Sequence, residues 1–200
     1  MNIACFGCSY TAGMPDNDWY NWPETLAKLR SSDKIYNLAV GGSSLLLSLY
    51  LLEEFSKLIK FDKVLFQITH PQRFSSINDL DVCQLQLINK QNYYRLDPEI
   101  RRQGNILTIT PSNSKALWST VYEKIKFAKQ YYRYYSADLG NLEHNILKNV
   151  VKEKSDVSFE YTEIPKAAKE HIIDNAGHFN KDGHDIIARW INNELERDIY

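Results

Sequence analysis

Short apolar runs closed by glycine or polar turns alternate with amphipathic stretches along this chain. That alternation is its strongest structural constraint, because such units pack as a parallel sheet covered by helices on both faces. Asn2-Ile3-Ala4-Cys5-Phe6, ending at Gly7, reads as a buried first strand. Trp22-Pro23-Glu24 starts a helix, with proline in the first turn and Leu26 and Leu29 as its inward stripe. Ile35–Ala39 reads as a second strand, broken by Gly41-Gly42. Leu45, Leu49, Leu52, Phe55 and Ile59 then mark a long helix, and Val64–Ile68 a third strand. The helical spacing of Trp118, Val121, Tyr122, Ile125, Ala128 and Tyr132 predicts a helix, and Val157–Tyr161 a further strand. Ile186, Ile187, Trp190, Ile191 and Leu195 predict a closing amphipathic helix with Asn180 as its N-cap. Residues 1–200 are therefore expected to form one domain, a three-layer α/β/α sandwich with a mainly parallel sheet. From about 75 to 115 the rhythm changes to period two, as in Gln84–Leu87 and Asn105–Ile109. This reads as an insertion of half-buried strands or a hairpin, placed either over the site or in plain packing.

Charge and cysteine usage narrow the function classes. A formal charge of −1, from 24 basic and 25 acidic residues, gives no basic footprint for nucleic acid. The sequence shows neither a basic leader before an apolar segment nor an apolar run of membrane-spanning length, so no membrane partner is expected and a cytoplasmic location is the default. Cys5, Cys8 and Cys83 are an odd, sparse set that suits free thiols. A homo-oligomer is left open.

Two segments carry candidate chemistry. In Phe6-Gly7-Cys8-Ser9-Tyr10-Thr11-Ala12-Gly13, a serine follows a strand end and a glycine able to take unusual backbone angles. This is a nucleophile's position, although serine in such a loop is more often a helix cap. In Asp174-Asn175-Ala176-Gly177-His178-Phe179-Asn180, a histidine stands at the head of the last helix. Across the top edge of the sheet, His178 would accept the Ser9 proton as general base.

These blocks resemble the SGNH (GDSL-like) hydrolases over most of the chain outside 75–115. Gly7-Cys8-Ser9, with Thr11 and Gly13, is similar to the family's G-D-S nucleophile block, with Cys8 replacing the aspartate. Asn37-Leu38-Ala39-Val40-Gly41-Gly42-Ser43 resembles its second block. The resemblance implies an oxyanion hole built from the Gly42 and Ser9 N–H groups. The third block, which usually holds an asparagine donor, falls on Thr69-His70-Pro71-Gln72-Arg73. Thr69, His70, Gln72 or Arg73 would substitute there, with His70, Gln72 and Arg73 also placed to touch substrate. The D-x-x-H block falls on Asn175–His178, so the aspartate position holds Asn175, while Asp174 lies one residue earlier. The resemblance implies a serine esterase acting through an acyl-enzyme on a small acyl or O-acetyl ester, possibly of a carbohydrate, with no metal or organic cofactor.

Losing one oxyanion donor costs roughly a hundred- to a thousandfold in turnover, and a wrong histidine tautomer about ten-thousandfold. The departures from the family pattern therefore keep open a second reading, an inactive SGNH-like module that binds a glycan or a protein. Cys5-Phe6-Gly7-Cys8 is formally a redox C-x-x-C, but Cys5 belongs to the first strand and the other blocks would go unexplained. A zinc site lacks a second ligand pair. The tyrosines of Tyr131–Tyr135 fit packing better than sugar stacking, and His144, His171 and His184 read as structural or exposed.

Overall fold

The computed structural model describes residues 1–13, 20–71, 73–96, 98–103, 106–111, 118–132, 137–174 and 177–197. Their side chains are described over 1–13, 20–71, 91–96, 144–174 and 177–197. Five strands form the parallel core, in the order β5 (Tyr93–Leu96), β2 (Lys34–Asn37), β1 (Asn2–Phe6), β3 (Lys63–Gln67), β9 (Val157–Phe159). Every neighbouring pair within this set is parallel.

Period-two alternation divides each strand between two helical layers. Ala4, Phe6 and Phe66 face α3 (Leu45–Ser56) and α4 (Ala137–Lys154), in a core that includes Leu47, Leu51, Phe55 and Val151. Phe6 and Phe66 stack there with ring centroids 5.0 Å apart. Ile3, Cys5, Ile35 and Leu65 face the opposite layer, α2 (Trp22–Leu29), α5 (Lys166–Lys169) and α6 (Lys181–Arg197), where Trp22, Leu26, Ile187 and Ile191 are buried. The chain is thus a three-layer α/β/α fold, with β1 buried between its layers.

Local chemistry fixes the helix starts. The Asn21 side chain accepts from the Glu24 N–H at the head of α2, with Pro23 in the first turn. Ser44 caps α3 by accepting from the Leu47 N–H, and Asn180 caps α6 by accepting from the Gly183 N–H at 3.0 Å.

The period-two region is antiparallel. β4 (Arg73–Lys90) pairs with β5 and with β8 (Trp118–Tyr132), while β6 (Pro98–Gln103) and β7 (Ile106–Pro111) extend the same sheet. The insertion expected over 75–115 thus contains β5, which joins the parallel core beside β2. The helix expected over Trp118–Tyr132 is instead the strand β8. Its 3.6-residue pattern coexists with a β-favouring composition of Thr120, Val121, Tyr122, Ile125, Phe127, Tyr131 and Tyr132. Pairing with β4 from Arg73↔Tyr132 to Ile88↔Trp118 supplies the partner that decides between the two. Tyr134 and Tyr135 lie outside the described residues. No helix among the described residues is long and apolar enough to cross a membrane.

Candidate functional site

Open α/β sheets bind ligands beyond the carboxyl ends of their strands, where successive connections leave in opposite directions. Here the chain runs from β1 to β2 on one side and returns to β3 on the other, so that point lies at the ends of β1 and β3. Gly7 leaves β1 with φ +155°. A Cβ there would lie 2.6 Å from Thr11 Oγ1 and 2.8 Å from Gln67 Oε1, so only glycine fits this close approach. The chain then turns into the four-residue helix α1 (Ser9–Ala12), with Ser9 at its first position and 8% exposed.

Polar side chains fasten this turn to its neighbours. Gln67, 2% exposed at the end of β3, accepts at Oε1 from the Cys8 N–H (3.1 Å) and the Cys8 thiol (3.2 Å), and its Nε2 donates to the Ile68 carbonyl (2.7 Å). The Gly7 carbonyl accepts from Ser43 Oγ at 2.6 Å and from the Val40 N–H at 3.3 Å, which ties the Gly41-Gly42 loop to the Ser9 turn. Gly42 itself has φ +78°. Asn37 Nδ2 donates to the Thr11 carbonyl (2.9 Å) and to Tyr93 Oη (3.0 Å), and Tyr93 in turn donates to Asn21 Oδ1 (2.9 Å). Burial pushes the Tyr93 phenol well above its usual range and keeps it a donor.

His178 comes from a loop between α5 and α6 that folds back on itself. The Ile173 N–H donates to the His178 carbonyl, the Asn180 N–H to the His171 carbonyl, and Ile172 and Phe179 form a β-bridge. This loop brings His178 Nε2 to 2.8 Å from Ser9 Oγ. On the other side of the ring, Asp174 Oδ2 lies 2.6 Å from Nδ1, while Asp174 Oδ1 accepts from the His178 N–H at 3.0 Å. A proton on Nδ1 satisfies the carboxylate and leaves Nε2 free to accept from the serine. The His178 side chain is 14% exposed and that of Asp174 44%, so the acid sits on the solvent side of the row.

The structure thus brings Ser9, His178 and Asp174 together. Asn175 lies outside the described residues, and the acidic partner of His178 is Asp174, four residues before it. Thr69, just past β3, is 2% exposed, and its Oγ1 has no hydrogen-bond partner among the described residues. His70 is exposed. Gln72 lies outside the described residues and the Arg73 side chain outside the described side chains, so neither is placed against the site. Cys5 and Cys8 are buried free thiols, with Cys5 packed against the α2–α6 layer.

Sequence reading missed Gln67 and Tyr10. Gln67 had a visible signal, a polar residue between Phe66 and Ile68 at the end of an apolar strand. Tyr10 had none beyond adjacency to Ser9, yet its ring centroid lies 5.3 Å from that of His178. A separate groove between α3 and α4, lined by Leu46, Leu49, Leu52, Phe61 and Val150, contains none of the residues of this row. No protein-family model matches the chain, and a search of curated proteins finds no significant match.

Proposed function

We propose that the protein is a serine esterase of the SGNH type that hydrolyses a carboxylic ester through an acyl-enzyme. The observation that carries this reading is the row Ser9 Oγ, His178 Nε2, His178 Nδ1, Asp174 Oδ2, with separations of 2.8 and 2.6 Å at its two hydrogen bonds. A nucleophile within reach of a base that a third group orients is the arrangement acyl transfer requires.

In the proposed reaction Ser9 Oγ bonds to the ester carbonyl carbon while its proton passes to His178 Nε2. The carbonyl oxygen becomes an oxyanion, held by the Gly42 and Ser9 N–H groups and by the Thr69 hydroxyl. Breaking the carbon–oxygen bond to the alcohol lets His178 return the proton to that alkoxide. Water then attacks the acyl carbon and gives a proton to His178; as the bond from the acyl carbon to Oγ breaks, His178 passes that proton to Ser9, so the products are a carboxylic acid and an alcohol. Asp174 stabilises the imidazolium formed in both halves. The ties from Ser43 and Val40 to the Gly7 carbonyl support the oxyanion assignment by joining the Gly42 loop to the nucleophile turn. The substrate class put forward is a small-acyl or O-acetyl ester, including one on a carbohydrate.

Labelling by a fluorophosphonate probe, with the modified residue located by mass spectrometry, tests the reading. Label on Ser9, lost in Ser9→Ala and accompanied by hydrolysis of p-nitrophenyl acetate, is expected. An unlabelled native protein that still binds acetylated sugars would make the cleft a binding site instead.

A further inference from the structure

The two hydrogen bonds to His178 lie at opposite ends of its ring, at Nε2 and Nδ1. Together with the covalent attachment at Cβ they define the ring plane, but hydrogen bonds tolerate bending, so the ring keeps a small rocking freedom. A contact on the ring itself narrows that rocking, and Tyr10 makes one, with ring centroids 5.3 Å apart and planes at 46°. Tyr10 is the residue after the nucleophile, in the same short helix. Any shift of that helix therefore moves Ser9 Oγ and the support of its base together.

The Tyr10 ring is held from behind. Tyr161, in the 3-10 helix Tyr161–Glu163, lies 5.6 Å from it, and Phe179, the residue after His178, lies 5.9 Å from Tyr10 and 6.1 Å from Tyr161. Lys169 covers Tyr161, with Nζ 5.6 Å from the ring centroid. The rings of Tyr10, Tyr161 and Phe179, from three separate segments, thus pack on one another, and Tyr10 carries that packing to the His178 ring. Gly177 completes it. With φ +85°, it leaves room for the tyrosine hydroxyl ends; a Cβ there would lie 2.9 Å from Tyr10 Oη and 3.4 Å from Tyr161 Oη.

We propose that Tyr10, backed by Tyr161 and admitted by Gly177, is a positioning residue that holds the His178 imidazole in the plane from which Nε2 takes the Ser9 proton. The proposal rests on the serine-esterase reading and adds to it a residue that acts through the base. The contact with His178 is between rings, so the proposal assigns the positioning to the Tyr10 ring rather than to its hydroxyl. Misplacing a catalytic group by about 1 Å can cost on the order of a hundredfold in rate. Loss of one restraint on the rocking, with both hydrogen bonds still available, should cost less.

The experiment measures the maximal rate of fluorophosphonate labelling at Ser9 separately from the half-saturating probe concentration, in native protein, Tyr10→Phe, Tyr10→Leu and Gly177→Ala, each first checked for native thermal unfolding. Tyr10→Leu should lower the maximal rate roughly tenfold, with half-saturation within about twofold. Tyr10→Phe should stay within about twofold of native. Gly177→Ala, which both pushes the Tyr10 hydroxyl aside and strains the His178 loop at φ +85°, should be at least as slow as Tyr10→Leu. Native-like labelling by Tyr10→Leu, an effect confined to half-saturation, or a Tyr10→Phe as slow as Tyr10→Leu would overturn the proposal while leaving the esterase reading intact. If Tyr10→Leu does not fold, Tyr161→Leu, which removes only the backing ring, must slow labelling for the proposal to stand. Failure of the native protein to label at Ser9 would remove both.

Discussion

Asp174 Oδ2 lies 2.6 Å from His178 Nδ1, and the same carboxylate accepts the His178 backbone N–H through Oδ1 at 3.0 Å. One side chain thus sets both the ring's orientation and the backbone that carries it. A D-x-x-H spacing would give this role to residue 175. Here the Gly177 N–H donates to the Asp174 carbonyl, closing a turn that brings the carboxylate at position 174 against the histidine four residues on.

Asp174→Ala should therefore lower turnover of p-nitrophenyl acetate sharply. Loss of tautomer control in a buried triad costs up to about ten-thousandfold. The Asp174 side chain is 44% exposed, so water can accept from Nδ1 in its absence, and a loss of roughly a hundredfold is the expected result. Asn175→Ala should leave turnover within about twofold, because the Nδ1 position is already filled. A steady-state comparison of the two variants decides; the reverse ranking would return the role to position 175.

His184 gives a stability signature at acid pH. It packs in the first turn of α6 beside Phe179 and Tyr20, is 3% exposed, and its Nδ1 has no hydrogen-bond partner among the described residues. Burial, opposed by the nearby Asp185 charge and aided by His178, lowers its pKa to about 4. Between pH 6.5 and about 4 the unfolded chain binds a proton that the folded chain refuses, so stability rises with pH through that window and is lost as pH falls. The loss is on the order of 3 kcal/mol for a shift of that size. Urea unfolding at pH 7 and pH 4.5 should show it, and His184→Leu should flatten the dependence; an unchanged slope in that variant would assign it to other groups.

Gly7 tests how tightly the Ser9 turn is built. An alanine Cβ would meet Thr11 Oγ1 at 2.6 Å, Gln67 Oε1 at 2.8 Å and Gln67 Cβ at 2.9 Å. Gly7→Ala must displace the group that holds the Cys8 N–H and thiol, and should cost roughly 2 kcal/mol or more in chemical unfolding. Gln67→Leu keeps the bulk but strands the Cys8 N–H, and about 1–3 kcal/mol is expected there. A neutral Gly7→Ala would mean that the turn relaxes freely.

Four strands of the parallel core, β1, β2, β3 and β9, were legible because they are short and largely apolar, whereas β5 was hidden inside the period-two region. Ser9 and His178 were legible for a different reason: each stands where a strand end or a helix start points a side chain at the same sheet edge. β8 was not legible, because Val121, Ile125 and Ala128 suit a helix stripe and a strand alike, and only the distant partner β4, paired from Arg73↔Tyr132 to Ile88↔Trp118, separates the two. Gln67 and Tyr10 escaped because their roles exist only in contact with residues distant in sequence, Cys8 and His178. The choice of Asp174 over Asn175 depended on a turn, and turns shift by one residue without changing composition.

Thr69 separates a structural role from a functional one most cleanly. Its Oγ1 is buried just beyond β3 without a hydrogen-bond partner among the described residues. A buried hydroxyl in that state costs stability rather than adding it, since its hydration is lost and nothing replaces it. Thr69→Val keeps the branched shape and removes only the hydroxyl. If the residue serves packing alone, the variant should be as stable as native or slightly more so, and equally active. If it is the third oxyanion donor, it should be as stable or more so, yet slower by roughly a hundredfold in kcat with KM little changed, because the hydroxyl acts on charge present only in the transition state. The second pattern is expected. Urea unfolding read alongside p-nitrophenyl acetate kinetics distinguishes them, and a Thr69→Val variant with native kcat would confine the oxyanion hole to the Ser9 and Gly42 N–H groups.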